Sequence, residues 1–198
     1  LITNGINTDF FRPIFFKKKT FKIGMACRVN KLKHYDLIAN SINTNILKKF
    51  NIKFSLAGTG DDLSNFKTRV KNLGIEKNIE TTGYLNEASL KRWYASLDLY
   101  IQASVGEAMP TSLLQAMSMG IPAIGSRVPG ISNLLGKKNI GLLFNNNIED
   151  LANKIKFFYF ANKITKLKFS KAQRNYVLSN HTHIKMLKKY FYEIKTVL

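Results

Sequence analysis

Cysteine is all but missing from the sequence: Cys27 is the single thiol in 198 residues, so no internal disulfide can form, which fits a reducing compartment. Acid is scarce as well. Twelve Asp and Glu stand against 31 Lys and Arg, a formal charge of +19, which raises nucleic acid or an anionic membrane as partners. Arginine is the minor part of that excess, confined to Arg12, Arg28, Arg69, Arg92, Arg127 and Arg174. Specific phosphate and base readers use the guanidinium fork. A lysine excess among abundant Asn, Ile and Phe instead reads as AT-rich coding bias, and no specific nucleic-acid binding is expected. Attraction to acidic lipid headgroups stays open. No apolar run approaches the ~20 residues a membrane helix needs, and no signal-peptide pattern is present. The expectation is a cytoplasmic protein, at most peripheral at the inner face of a membrane. His181 and His183 have no acidic or thiol neighbour in sequence, and no metal is expected there. Leu1 is not an initiator methionine, and the chain is expected to begin inside a longer protein.

What is present is a globular composition, 45% hydrophobic, in a length that suits one well-buried domain. Short apolar runs at 21–26, 52–57, 79–82, 97–103, 122–126 and 141–144 read as strands. Helical patterns fall between them. One runs from His34 to about Phe50, one to Leu73 with Gly74 as its stop, one from the N-cap Asn86 to about Ser96, and one over 149–160. Trp93 and Tyr94 in the third are expected in the core or at an interface. The alternation predicts an α/β fold, a Rossmann-like parallel sheet of about six strands flanked by helices, with its site at the strands' C-terminal edge. The units expected are an opening segment at 1–20, the sheet domain at 21–162 and C-terminal helices at 163–198, part of that domain or packing toward a further one. In the last, Ile184, Leu187, Phe191, Ile194 and Leu198 repeat at helical spacing opposite Lys185, Lys188, Lys189 and Lys195. Such a stripe suits an anionic membrane or a protein surface, and protein packing is the expectation.

The organising stretch is 104–122, Ser-Val-Gly-Glu-Ala-Met-Pro-Thr-Ser-Leu-Leu-Gln-Ala-Met-Ser-Met-Gly-Ile-Pro. Pro110 suits a first helical position and Gly120 a helix stop, which puts the Glu107 carboxylate at a helix N-terminus. There the amides of Thr111 and Ser112 lack intrahelical partners and the helix dipole favours an anion such as a pyrophosphate. A carboxylate beside that anion is suited to ligand hydroxyls, and the combination suggests a phosphorylated sugar. Arg28 and Lys33 follow the first strand, where open α/β sheets bind ligands; on their own they read equally as solvated cations. Gly58-Thr59-Gly60 after the second strand is, alone, what a tight turn uses. Tyr84, after the third strand, could stack on a base or pack against its neighbours.

Together these motifs resemble glycosyltransferase family 4, the retaining nucleotide-sugar transferases of the GT-B fold. Their signature is a Glu, seven residues, a second Glu, a small-residue helix and Gly-x-Pro. Glu107 matches the first Glu, Gln115 stands at the second, and Gly120-Ile121-Pro122 matches the end. The opening segment resembles the family's interdomain linker, with Thr3 for the usual Pro and Asn7 for Asp. Asn133 stands where a Gly-Gly-x-x-Glu run ends in Glu, and Cys27 where Gly or Ala is usual. The resemblance covers nearly the whole chain.

It implies the donor-binding half of an enzyme that transfers a hexose from a nucleotide-diphospho-sugar to a glycan or lipid-linked acceptor. The acceptor would be held by a missing N-terminal half, so the piece alone would bind donor and turn over little. Arg28, Lys33 and the backbone of Ala108, Met109, Pro110, Thr111 and Ser112 would meet the diphosphate. Glu107 would orient the sugar, Gln115 the ribose, and Gly58, Gly60, Tyr84 and Leu85 would line the nucleotide. The resemblance implies neither a metal nor another cofactor. Three alternatives stay open: a non-catalytic module in which Gln115 and Asn133 record lost chemistry, a GT-B epimerase acting on the sugar nucleotide itself, and a basic lipid-binding module.

Overall fold

A computed structural model describes residues 2–14, 18–136 and 140–197. Six strands alternate with helices: β1 Phe21–Ala26, α1 Tyr35–Ile42, β2 Ile52–Ala57, α2 Leu63–Asn72, β3 Ile79–Gly83, α3 Glu87–Ala95, β4 Leu99–Gln102, α4 Thr111–Ser118, β5 Ala123–Ser126, α5 Pro129–Leu135, β6 Leu142–Phe144, α6 Ile148–Phe160, α7 Lys163–Asn180 and α8 His183–Val197. All pair in parallel, in the order β3-β2-β1-β4-β5-β6. The order reverses at β1, which has β2 on one side and β4 on the other, so the loops leaving β1 and β4 flank a crevice at the C-terminal edge.

The strands feed two cores, one on each face. Ile23 and Met25 of β1 join α1, α2 and α6 through Ile38, Phe66 and Phe158. On the other face Tyr94, Leu113, Met117, Ile131 and Val177 join α3, α4, α5 and α7. Gly24 makes room there, because a Cβ on it would lie 2.8 Å from the Trp93 ring. Trp93 and Tyr94 are core residues, and the Trp93 indole donates to Ser55 Oγ at 2.8 Å.

Local chemistry moves some boundaries. The helix expected to reach Phe50 stops at Ile42, where Asn43 caps it. The Ser41 and Thr44 hydroxyls turn back onto the carbonyls of Leu37 and Ser41, a side-chain competition that favours turns over helix. Pro110, expected at the first helical position, is instead the N-cap of α4, whose first residue is Thr111. Gly120 does end it, at φ +70°, with the Gly120 and Ile121 amides bonded to Met117 and Ala116 carbonyls at 3.0 and 3.1 Å. α5, starting at Pro129, is a helix the sequence pattern did not suggest.

α7 packs on α4, and its buried Gln173 brackets the backbone of Ala123 through both amide atoms at 2.9 Å. The turn between α7 and α8 pairs with the opening segment through Ile6, whose N–H donates to His181 O and whose carbonyl accepts from His183 N, both at 2.9 Å. The ring nitrogens of His181 and His183 lie against the carbonyls of Asn4 and Ile6, so the pair fastens that segment. Among the described residues no group of three or more His, Cys, Asp or Glu is placed to hold a metal. The stripe on α8 does not pack on this chain: Ile184, Leu187, Phe191 and Ile194 are all exposed. Leu198 of that stripe and Leu1 lie outside the described residues. No described helix is long and apolar enough to cross a membrane.

α1 and α2 are clamped by a buried carboxylate. Asp62 accepts from the Tyr35 hydroxyl at 2.5 Å, from Arg69 Nη2 at 2.8 Å and from Asn65 Nδ2 at 2.8 Å. These donors, Tyr35 foremost, hold the carboxyl down at about 2 against its ordinary 3.8. The ionised clamp therefore stabilises fully above pH ~4 and is lost as pH falls through about 2. Asp62→Asn is expected to cost about 2 kcal/mol at pH 7, with the gap from the parent closing toward pH 2. Urea midpoints across that range measure it.

Candidate functional site

The crevice is built by loops pinned to one another. The carbonyl of Leu32, in the loop leaving β1, accepts from Val105 N at 3.1 Å and from Ser104 Oγ at 3.2 Å in the loop leaving β4. That stitch sets Lys33 against Glu107, and the ammonium donates to Glu107 Oε1 with both side chains largely buried. Beneath the pair lies Gln102, 1% exposed, whose Nε2 reaches Glu107 Oε1 at 3.4 Å. Its own oxygen accepts from Ser112 Oγ at 3.1 Å and Tyr100 OH at 2.9 Å. Burial pushes the Tyr100 phenol up, so it stays a donor. Burial likewise pushes the Cys27 thiol up to about 12, which leaves it neutral and unsuited to nucleophilic work.

Further ties fix the Glu107 loop from outside. Asn146 donates to Ser104 O at 3.1 Å and accepts from Ser126 Oγ at 2.7 Å, joining the exits of β4, β5 and β6. Gly130 N donates to Glu107 O at 3.0 Å. A Cβ on Gly130 would sit 2.1 Å from that oxygen, so only glycine allows the approach. Asn4 Nδ2 of the opening segment donates to Met109 O at 3.3 Å. Gln102, Asn146 and Gly130 escape a reading by motif, although a glutamine ending an apolar strand is itself a signal of buried polar work.

The remaining expected residues fall into place unevenly. Gly58 and Gly60 serve the approach of two loops, since a Cβ on either would meet the carbonyls of Cys27 or Val29 at 1.9 and 2.1 Å. Arg28 departs from expectation. It forms no ion pair with Glu107 among the described residues; its guanidinium is exposed and turned to Asp61 Oδ2 at 3.8 Å, while Glu107 pairs with Lys33. Tyr84 is exposed rather than packed, and Leu85 is half-buried against the core. Pro110 is buried, Ala108 and Thr111 exposed, Met109 and Ser112 in between. Among the described residues the Thr111 and Ser112 amides find no acceptor, leaving the N-terminus of α4 open beside the Lys33–Glu107 pair. Gln115 Oε1 lies 3.1 Å from the buried Tyr94 hydroxyl, and Asn133 is exposed on α5.

Residues 7–176 match the family described as glycosyl transferases group 1. The chain belongs to that family. An alpha-monoglucosyldiacylglycerol synthase of Streptococcus pneumoniae is 29% identical over 93 residues, 47% of this chain and 21% of that protein. A glycosyltransferase of Rickettsia africae superposes over 99% of this chain and 56% of its own, with a TM-score of 0.87 and 23% identity. Anabaena HepE, solved with UDP and glucose, superposes over 98% of this chain and 56% of its own, with a TM-score of 0.86 and 14% identity. The fold is therefore that of one Rossmann-like GT-B half, and this group 1 chain spans only part of the length of the relatives it matches.

Chemically, among the described residues the crevice of this group 1 chain offers the Lys33 ammonium, the Arg28 guanidinium that can swing from solvent, and the free amides of Thr111 and Ser112 for an anion. It also offers one carboxylate for hydroxyl donors. The close approach at Gly130 sets the carboxylate's position. Gly130→Ala is expected to displace the Glu107–Ala108 backbone and cost about 1–3 kcal/mol. Gly106→Ala, where a Cβ meets nothing within 4 Å, is the control and should stay within about 0.5 kcal/mol. Urea unfolding of both variants decides it.

Proposed function

We propose that this chain is the donor-binding half of a retaining glycosyltransferase of family 4 type. It would move a hexose from a nucleotide-diphospho-sugar to a glycan or lipid-linked acceptor in polysaccharide or glycolipid synthesis. The observation that carries this reading is the Lys33–Glu107 pair beside the open N-terminus of α4, at the point where strand order reverses. A diphosphate arriving there competes for the Lys33 ammonium and the Thr111 and Ser112 amides, and Arg28 can leave Asp61 to join them. Glu107, released from Lys33, then accepts hydrogen bonds from the sugar hydroxyls. As the bond from the anomeric carbon to the phosphate oxygen breaks, its electrons stay on the leaving diphosphate, and the same cations and amides stabilise that charge. The exposed Tyr84, with Leu85 and the Gly58–Gly60 turn, lines the nucleotide. Gln115 meets the ribose, and the family's acceptor side lies in chain beyond this piece. Protein groups answer the charge without a metal. UDP is the nucleotide that HepE holds in its solved complex, which favours a uridine donor here.

Calorimetric titration of the chain with UDP-, GDP- and ADP-sugars tests the site. Lys33→Ala and Glu107→Gln are each expected to weaken donor binding about 10–100-fold, the loss of one charge-assisted hydrogen bond, and Arg28→Ala less because its head starts in solvent. Unchanged binding in both of the first two variants would remove the assignment. Affinity is expected to be the same with and without a chelator, and a strict magnesium requirement would contradict the metal-free reading. Gln115's contact with Tyr94 and the exposed Asn133 favour one second reading, a binding module with lost chemistry. No thermal shift with any nucleotide sugar, and a shift restored by Gln115→Glu, would select it.

A further inference from the structure

Between residues 151 and 192 there is no Asp or Glu, while ten Lys and Arg fall in that span. The span covers most of α6, all of α7 and the start of α8, and it also holds large apolar side chains in solvent. At the elbow joining α6 to α7, Phe157 is 45% exposed, Phe160 62%, Ile164 79% and Leu167 45%. Phe157 and Phe160 belong to one surface with Lys156, and Ile164 and Leu167 stand in solvent on the first turns of α7 just beyond it. Phe157 meets Phe169 of α7 edge-on at 6.3 Å, and Phe160 meets Phe50 edge-on at 5.2 Å with the Lys49 ammonium 5.6 Å over the Phe50 ring. Asn162 caps α7 by accepting from Thr165 N at 2.8 Å, so the elbow is a fixed turn.

The elbow sits at the edge where the strands begin. Tyr159 packs on Phe21, the first residue of β1, at 5.3 Å and on Phe50, just before β2, at 4.9 Å. Glu107 lies at the opposite edge, so an occupant of the elbow leaves the crevice open. Two carboxylates near the strand starts are already paired, Glu80 with Lys22 and Asp98 with Lys18. The exposed cations that rim the elbow, Lys49, Lys156, Lys163 and Lys168, have no carboxylate partner among the described residues.

We propose that this elbow is a docking face for a bilayer carrying anionic headgroups. Exposed aromatic and aliphatic side chains ringed by long lysine stems match the boundary between acyl chains and headgroups, where apolar surface buries and ammonium heads stay with the phosphates. The only guanidinium in the acid-free span, Arg174, is turned to the Ser118 carbonyl, so the face lacks the fork that a nucleic-acid reader uses. The exposed stripe of α8 is the rival surface, but it carries Glu193 and sits beside the opening segment. The elbow reading does not depend on the donor site, and elbow variants should titrate with nucleotide sugar as the parent does.

Sedimentation of the chain with phosphatidylcholine vesicles, with and without about 30% phosphatidylglycerol, tests it. Binding is expected to be at least about ten-fold stronger with the anionic lipid, and to weaken without vanishing between about 50 and 500 mM salt. Phe160→Ser with Ile164→Ser, and separately Lys156→Glu with Lys163→Glu, should each lower it about ten-fold. Phe191→Ser with Tyr192→Ser on α8 should leave it unchanged. Melting curves confirm folding, and the charge-reversal pair carries the test if the apolar pair fails to fold. Retained binding in the elbow variants, loss in the α8 variant, or equal binding to neutral vesicles overturns the proposal. So does elbow-dependent binding to heparin or RNA without vesicle binding, or elbow-dependent self-association without lipid.

Discussion

One constraint governs the molecule: β1 must sit in the middle of a parallel sheet with β2 on one flank and β4 on the other. Two loops far apart in sequence are thereby delivered to the same edge. The Leu32 carbonyl then holds both Ser104 and Val105. Without that reversal Lys33 and Glu107 would belong to different surfaces. With it, an ammonium and a carboxylate 74 positions apart become a contact.

The electrostatic design around that contact is layered. At the bottom, Tyr100, Gln102 and Ser112 form a neutral buried chain of hydrogen bonds, which fixes geometry without adding charge to a low-dielectric interior. Above it the two opposite charges satisfy each other. Outermost stands Arg28, held only by an exposed partner and therefore free to re-aim. Charge becomes more mobile with distance from the core, an order suited to a site that must be neutral when empty and receptive when an anion arrives.

The strands were legible because their apolar runs are short, bounded by turns and alternate with helical patterns. The caps at Asn86 and Gly120 could be read for the same local reason. The end of α1 was not, since its apolar period continues to Phe50 and only hydroxyl-to-carbonyl bonds break it. Glu107 and Lys33 could be named from type and order, whereas the direction of Arg28 depended on Asp61, a neighbour brought close by folding. Gly58 and Gly60 carried an ambiguous signal: a Cβ on either would meet another loop's carbonyl at 1.9 or 2.1 Å, which composition cannot show. The stripe on α8 had the right period for a packed face, but period states that a face exists and not what covers it.

Asn4 is tied to two parts of the molecule at once: its amide holds Met109 beside Glu107, and its carbonyl meets the His181 ring where α7 turns into α8. A pull on the first few residues is therefore felt within a handful of bonds at the carboxylate, and equally at the last helix. The segment from Ile2 to Asn4 has mechanical leverage on the crevice.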